Sequence, residues 1–211
     1  MKFYRYITEN KTDFNKIEND GKPFLDDLRK IKKPPSLLYS GRKSSEDFIS
    51  RKVRKNRKPK NTPERIHNWL DKWFEYKFGI KARSKSLMAD NKKAIASTYG
   101  TPYIIFPVGK YKIIWSEEVP DLYDDIKLQV PKEEIEEVLD KEPREVENLD
   151  NSLIEILETY KENNLKKALS IGETSFEIML ICDHYYGINT NSIDKDELIE
   201  WFNSLEIYPE L

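Results

Sequence analysis

The chain has 211 residues, 35% charged and 38% hydrophobic, with 4 Trp, 12 Tyr and 9 Phe; it is polar, yet its aromatic content supports a packed core and excludes a disordered chain. No stretch approaches the roughly 20 apolar residues that span a bilayer, and the first residues lack the apolar run of a signal peptide. The single cysteine, Cys182, rules out an intramolecular disulfide framework and fits a reducing, cytoplasmic setting, while two histidines beside one cysteine argue against a conventional zinc centre.

The net charge of −2 hides a strong asymmetry. Residues 22–112 carry 24 Lys/Arg against 8 Asp/Glu, and residues 113–211 carry 8 Lys/Arg against 26 Asp/Glu. The densest basic run is Arg51, Lys52, Arg54, Lys55, Arg57, Lys58 and Lys60. Either the acidic half folds back on the basic half, or the run faces an anion such as a dinucleotide, a nucleic acid or an acidic protein.

Along the chain, helical spacing of Phe14 and Ile17, then of Phe24, Leu25, Leu28 and Ile31, predicts helices over 11–18 and 23–31. Residues 1–35 read as an N-terminal helical segment that Pro34-Pro35 ends, and 36–211 as a single domain. Ser36 to Arg42 reads as a strand entering a glycine turn, and Ser44 to Asp47 as a helix start. The clearest helix is 63–78, with Thr62 as cap, Pro63 at the first position and an apolar stripe of Ile66, Trp69, Leu70, Trp73 and Phe74; His67 falls on its polar side. Residues 82–87 are expected as a strand and 90–99 as a short helix stopped by Gly100. Strands follow over 103–106 and 111–115, with Gly109-Lys110 as a tight hairpin between them and Pro107 marking an edge or a bulge. Residues 131–169 form an acidic helical insertion. Strands over 176–181 and 185–188 and a helix over 195–205, capped by Asp194, complete an α+β chain.

Two catalytic patterns are weak. Cys182 and His184 lack the orienting third group that a nucleophilic thiol needs, so Cys182 reads as a small strand-end residue. Asp121 and Asp125 with Lys127 suggest a metal nuclease, but their spacing suits the cap and flank of a short helix. Seven glycines leave no phosphate-cradling loop.

Three separated segments make more sense together. Leu38-Tyr39-Ser40-Gly41-Arg42 is a strand end carrying arginine. Arg83-Ser84-Lys85-Ser86 is a serine pair followed by a helix ending in Tyr99-Gly100. Ser175-Phe176-Glu177-Ile178-Met179-Leu180 places a glutamate before a hydrophobic strand. This order resembles the arginine–serine–glutamate branch of the mono-ADP-ribosyltransferases, over about residues 36–189. The resemblance implies split mixed or antiparallel sheets flanked by helices, with NAD as substrate in the cleft between them. It implies transfer of ADP-ribose to a protein or nucleic-acid acceptor with release of nicotinamide, in a bacterial or phage effector. On that basis Glu177 would stabilise the oxocarbenium-like transition state, and Arg42 would grip the NAD phosphates. Ser84, with Ser86 beside it, would orient the arginine or the ribose, and Tyr99 or Tyr103 would stack on nicotinamide. The chain departs from the family pattern in three places: the family arginine falls at Ser40, the middle threonine is Lys85, and Ser175 stands two residues before Glu177. Glu173, four back, is the nearest substitute there. The alternative reading is a non-enzymatic nucleic-acid-binding protein that uses the basic segment 42–60.

Overall fold

The computed structural model describes residues 13–59, 61–170 and 175–210. The first apolar periods become α1 (13–20) and α2 (Lys22–Ile31). Phe14 stacks on Trp201 with ring centroids 4.5 Å apart and Phe24 packs edge-on to Phe106, so these helices share the main core with the sheet. Two strands follow, β1 (Tyr39–Arg42) and β2 (Phe48–Lys52), so the helix expected to start near residue 44 does not form. The stripe on α3 (Glu64–Phe78) is buried as expected, but Pro63 rather than Thr62 takes the N-cap position and no side chain caps the helix.

The segment expected as a strand over 82–87 divides. Ala82–Lys85 forms the short helix α4, and the strand β3 is Leu87–Asp90. The reason lies on α3, where Asp71 accepts the Ser84 amide at 3.0 Å and pulls the segment into a turn. Next come α5 (Lys93–Tyr99), β4 (Thr101–Pro107) and β5 (Lys112–Trp115). After α6 (Leu122–Gln129), the acidic insertion supplies α7 (Lys132–Leu139), α8 (Pro143–Val146), α9 (Ser152–Glu158), the two-residue strand β6 (Lys161–Glu162) and α10 (Leu165–Ala168). Asp121 caps α6 by accepting from Tyr123 N and Asp124 N. The chain closes with β7 (Glu177–Ile181), β8 (His184–Asn189) and α11 (Lys195–Ser204), and Asp194 accepts two amides at the start of α11.

The protein is α+β, with helices flanking an eight-stranded sheet of order β2-β8-β4-β1-β3-β7-β5-β6. Each neighbouring pair is antiparallel, so no mixed sheet forms. The two expected sheets are four-stranded halves of this one sheet. β1 and β3 join them through a single register pair, Tyr39 with Asp90. Ser40, at the position of the family arginine, strengthens that seam by donating to Met88 O at 2.7 Å.

The hairpin expected at Gly109-Lys110 does not form. β4 lies between β1 and β8, so both its edges are taken before β5 could pair, and β5 pairs with β7 and β6. Pro107 ends β4 where its ladder with β8 ends, opposite Tyr185. β7 pairs with β3 and β5 in one half, whereas β8 crosses to the other half.

A second apolar cluster lies between α3 and the acidic insertion. Around it the opposite charges meet: Arg65 pairs with Glu136 and Asp140 at 2.6 Å each, Lys72 with Glu142 at 2.8 Å and Lys77 with Glu158 at 2.8 Å. Part of the charge asymmetry is therefore neutralised within the chain. Among the described residues no helix is long and apolar enough to cross a membrane.

Candidate functional site

Alternation along β7 decides where its first residue points. Ile178 and Leu180 enter the main core and Met179 enters the cluster under α3, so Glu177 shares the α3-facing side with Met179. Arg83 of α4 meets it there. Its Nη1 donates to Glu177 Oε1 at 2.5 Å, and the two side chains are 3% and 13% exposed. Burial raises the Glu177 carboxyl above the ordinary glutamate value, against the pull of Arg83. Asp90 lies opposite Glu177 on β3, and burial pushes it up to about 6.

Two further arginines approach. Arg57 donates its backbone N–H to Ser84 O at 3.0 Å and its Nη1 to Arg83 O at 3.3 Å. This member of the basic run therefore turns inward. Arg42 ends β1 with its guanidinium 5.4 Å from the Tyr185 ring centroid. Burial lowers the pKa of both, and Arg57 feels the charges of Arg83, Glu177 and Arg42. Among the described residues neither arginine has a carboxylate at ion-pair distance.

The buried polar atoms left without a hydrogen-bond partner, among the described residues, are Arg42 Nε, His67 Nδ1, Arg83 Nε, Asp125 Oδ2 and Tyr160 OH. Tyr160 is buried within electrostatic reach of Glu177, Arg83 and Asp125, His67 within reach of Arg83 and Arg57, and Arg42 within reach of Arg57. Buried orphans are rare in native proteins, and two of these, on Arg83 and Tyr160, lie beside Glu177.

The serines do not take the expected roles. Ser84 lies on a helix, and its hydroxyl donates to Asp71 and contacts His67 Nε2 at 3.0 Å. It positions Arg57 through its carbonyl instead. Ser86 is buried with its hydroxyl 3.5 Å from Met88 Sδ. Tyr103 is a core residue whose OH donates to Glu46 O at 2.6 Å, so it is not available to stack on a ligand. Tyr99 is 64% exposed at the end of α5 and lies within electrostatic reach of Glu177 and Asp90. His67, expected on the surface, is buried against Asp71.

The basic run is divided. Arg51 pairs with Glu46 at 2.6 Å and Lys58 with Glu64 at 3.0 Å, while Lys52, Arg54 and Lys55 are exposed. Lys60 and Glu173 lie outside the described residues. Burial pushes the Cys182 thiol up to about 12, and His184 is engaged with Ser50 at 2.9 Å, so these two form no thiolate pair.

Comparison with protein-family models, curated proteins and solved structures finds no match. The residues themselves carry the functional reading.

Arg83 is the site residue that spacing did not single out. It precedes Ser84 in a segment read as a strand, where it would point away from the Ser84 face. The available signal was Asp71: a carboxylate on the otherwise apolar face of α3 needs a buried partner, and that need announces a turn.

Proposed function

We propose that the chain binds NAD at the β1–β3 seam and transfers its ADP-ribose to an acceptor with release of nicotinamide. The observation that carries this reading is the buried Glu177–Arg83 pair with Arg57 within electrostatic reach of both and of Arg42, beside buried polar atoms that lack partners among the described residues. Breaking the nicotinamide–ribose bond builds positive charge on the ribose, and a fixed carboxylate in a low-dielectric site stabilises that charge. Glu177 is such a carboxylate, and Arg83 holds its orientation. Arg42 and Arg57, with no carboxylate at ion-pair distance among the described residues, suit the two anionic phosphates of the dinucleotide, where planar guanidinium groups give two-point contacts. Tyr99 stands at the rim, where an exposed ring suits contact with a planar base.

The test is nicotinamide release from NAD, measured by mass spectrometry on wild type beside Glu177→Gln. Loss of one preorganised electrostatic group costs about 100-fold or more in rate. The expected result is release by wild type and a fall of that order in Glu177→Gln, with an unchanged circular dichroism spectrum. Equal release by both proteins removes Glu177 from the chemistry.

A second reading rests on Lys52, Arg54 and Lys55, which are exposed and have no carboxylate at ion-pair distance among the described residues. As a nucleic-acid-binding face they would give affinity that falls steeply with salt and is indifferent to Glu177.

A further inference from the structure

The far end of β7 presents a second, separate feature. A cavity of about 430 Å³ opens beside Ile181, the last residue of the strand. Glu177, the first residue, lies about 13 Å away along the strand. The apolar part of the wall includes Ile80, Tyr111 and Ile181, and the cationic part includes Lys55, Lys85 and Lys110. These three lysines are exposed and have no carboxylate at ion-pair distance among the described residues. Lys112, also in the wall, is held by Glu162 at 2.6 Å, and Asp183 at the wall makes no ion pair among the described residues.

Three segments distant in sequence bring these lysines together. Lys55 follows β2, where Val53 N donates to Asp183 O at 3.0 Å and ties that segment to the β7–β8 turn. Lys85 ends α4, and Lys110 precedes β5. Converging ammonium groups repel one another in the free protein, and a multiply charged anion between them relieves that repulsion. The volume falls in the range of small-molecule sites, and the apolar wall gives a ring something to cover. An extended polyanion has no use for an apolar wall, whereas Ile80, Tyr111 and Ile181 give the ring of a small ligand a surface to cover.

We infer that this cavity binds a small phosphate-bearing ligand with a planar ring, a nucleoside diphosphate being the simplest member of the class. The site is distinct from the Glu177 cluster, and its existence does not depend on ADP-ribosyl transfer.

Calorimetric titration with ADP tests it, with pyrophosphate and a short oligothymidylate as comparison probes. Lys55→Gln, Lys85→Gln and Lys110→Gln are combined in one variant; all three side chains are exposed, and a melting curve confirms that the variant folds. A second variant combines Arg42→Gln with Arg57→Gln and reports on the Glu177 neighbourhood. The expected result is saturable ADP binding that weakens about tenfold or more in the lysine variant and persists in the arginine variant. Pyrophosphate should bind more weakly than ADP, because it lacks the ring. Binding lost in the arginine variant and kept in the lysine variant overturns the inference, since the ligand then sits at Glu177. Equal affinity for ADP and pyrophosphate also overturns it, as does lysine-dependent binding of the oligothymidylate with none of ADP.

Discussion

At the scale of single residues, Arg83 and Glu177 form a buried ion pair, 3% and 13% exposed. The place of Glu177 at the head of an apolar strand was legible in the sequence; its ion pair was not, because Arg83 lies 94 positions away in a segment whose local pattern favoured a strand. Burial makes the pair fragile in a directed way. Removing one partner of a buried ion pair costs about 3–5 kcal/mol, because the remaining charge is left without compensation. Arg83→Met should therefore lower stability by about that much at neutral pH. The pH dependence has a definite sign. The Glu177 pKa in the folded protein is raised above its ordinary value of 4.5, so the folded state binds the proton more tightly than the unfolded state does. Its cost is absent below the unfolded value and grows as pH rises through the window up to the folded value. Without Arg83 that window widens upward. Denaturant midpoints measured across pH should show a deficit that grows above about pH 4.5, and adding Glu177→Gln should remove the growing part. A deficit that does not change with pH would mean that lost packing, not the carboxylate, destabilises the variant.

At the scale of elements, α3, α5 and α11 were readable in advance because each carries its own signals: an apolar stripe, a glycine stop or an aspartate cap. Strand partners were not readable. Gly109-Lys110 is locally suitable for a hairpin, yet β4 is taken on both edges by β1 and β8, whose sequences lie far from it. The division of residues 82–90 into α4 and β3 depends likewise on Asp71, a side chain on another element. Close approach between elements is the other property that a linear pattern conceals. A Cβ at Gly41 would lie 2.1 Å from Ala96 O and 2.8 Å from Tyr99 Cβ, so β1 and α5 touch backbone to backbone there. Gly41→Ala must push α5 away from the strand, an overpacking cost of about 1–3 kcal/mol. Because the displaced elements carry Arg42 and Tyr99, the same change should weaken NAD binding. Asp194→Ala is the control. It removes the cap of α11 at a cost of about 1 kcal/mol and touches neither residue. Denaturation and NAD titration on both variants check this, and equal NAD affinity in Gly41→Ala and Asp194→Ala would detach α5 from the site.

At the scale of the whole molecule, the charge asymmetry has two destinations, and they respond differently to salt. The pairs between α3 and the acidic insertion are exposed, so each contributes little and weakens as salt screens it. Arg42, Arg57 and the lysines at the far end of β7 have no carboxylate at ion-pair distance among the described residues, and screening relieves their repulsion. Chloride therefore acts on both sets with opposite signs, and its net effect on the melting temperature should be small. A multivalent anion at the same ionic strength should act otherwise. Millimolar pyrophosphate stabilises only if the free cations form sites that recognise it, and a ligand at 100 times its dissociation constant adds about 2.7 kcal/mol. Melting curves in pyrophosphate against chloride of matched ionic strength should show a rise in the wild type. The rise should be smaller in the Arg42→Gln, Arg57→Gln variant and smaller again when the three lysine substitutions are added. The order of these losses matters because the two clusters differ in exposure. The arginines are half-buried, so their contribution should fade less with added chloride than that of the exposed lysines. A rise of the same size in all three proteins would be a general salt effect. It would leave the basic half of the chain as a solvated surface and both anion sites without support.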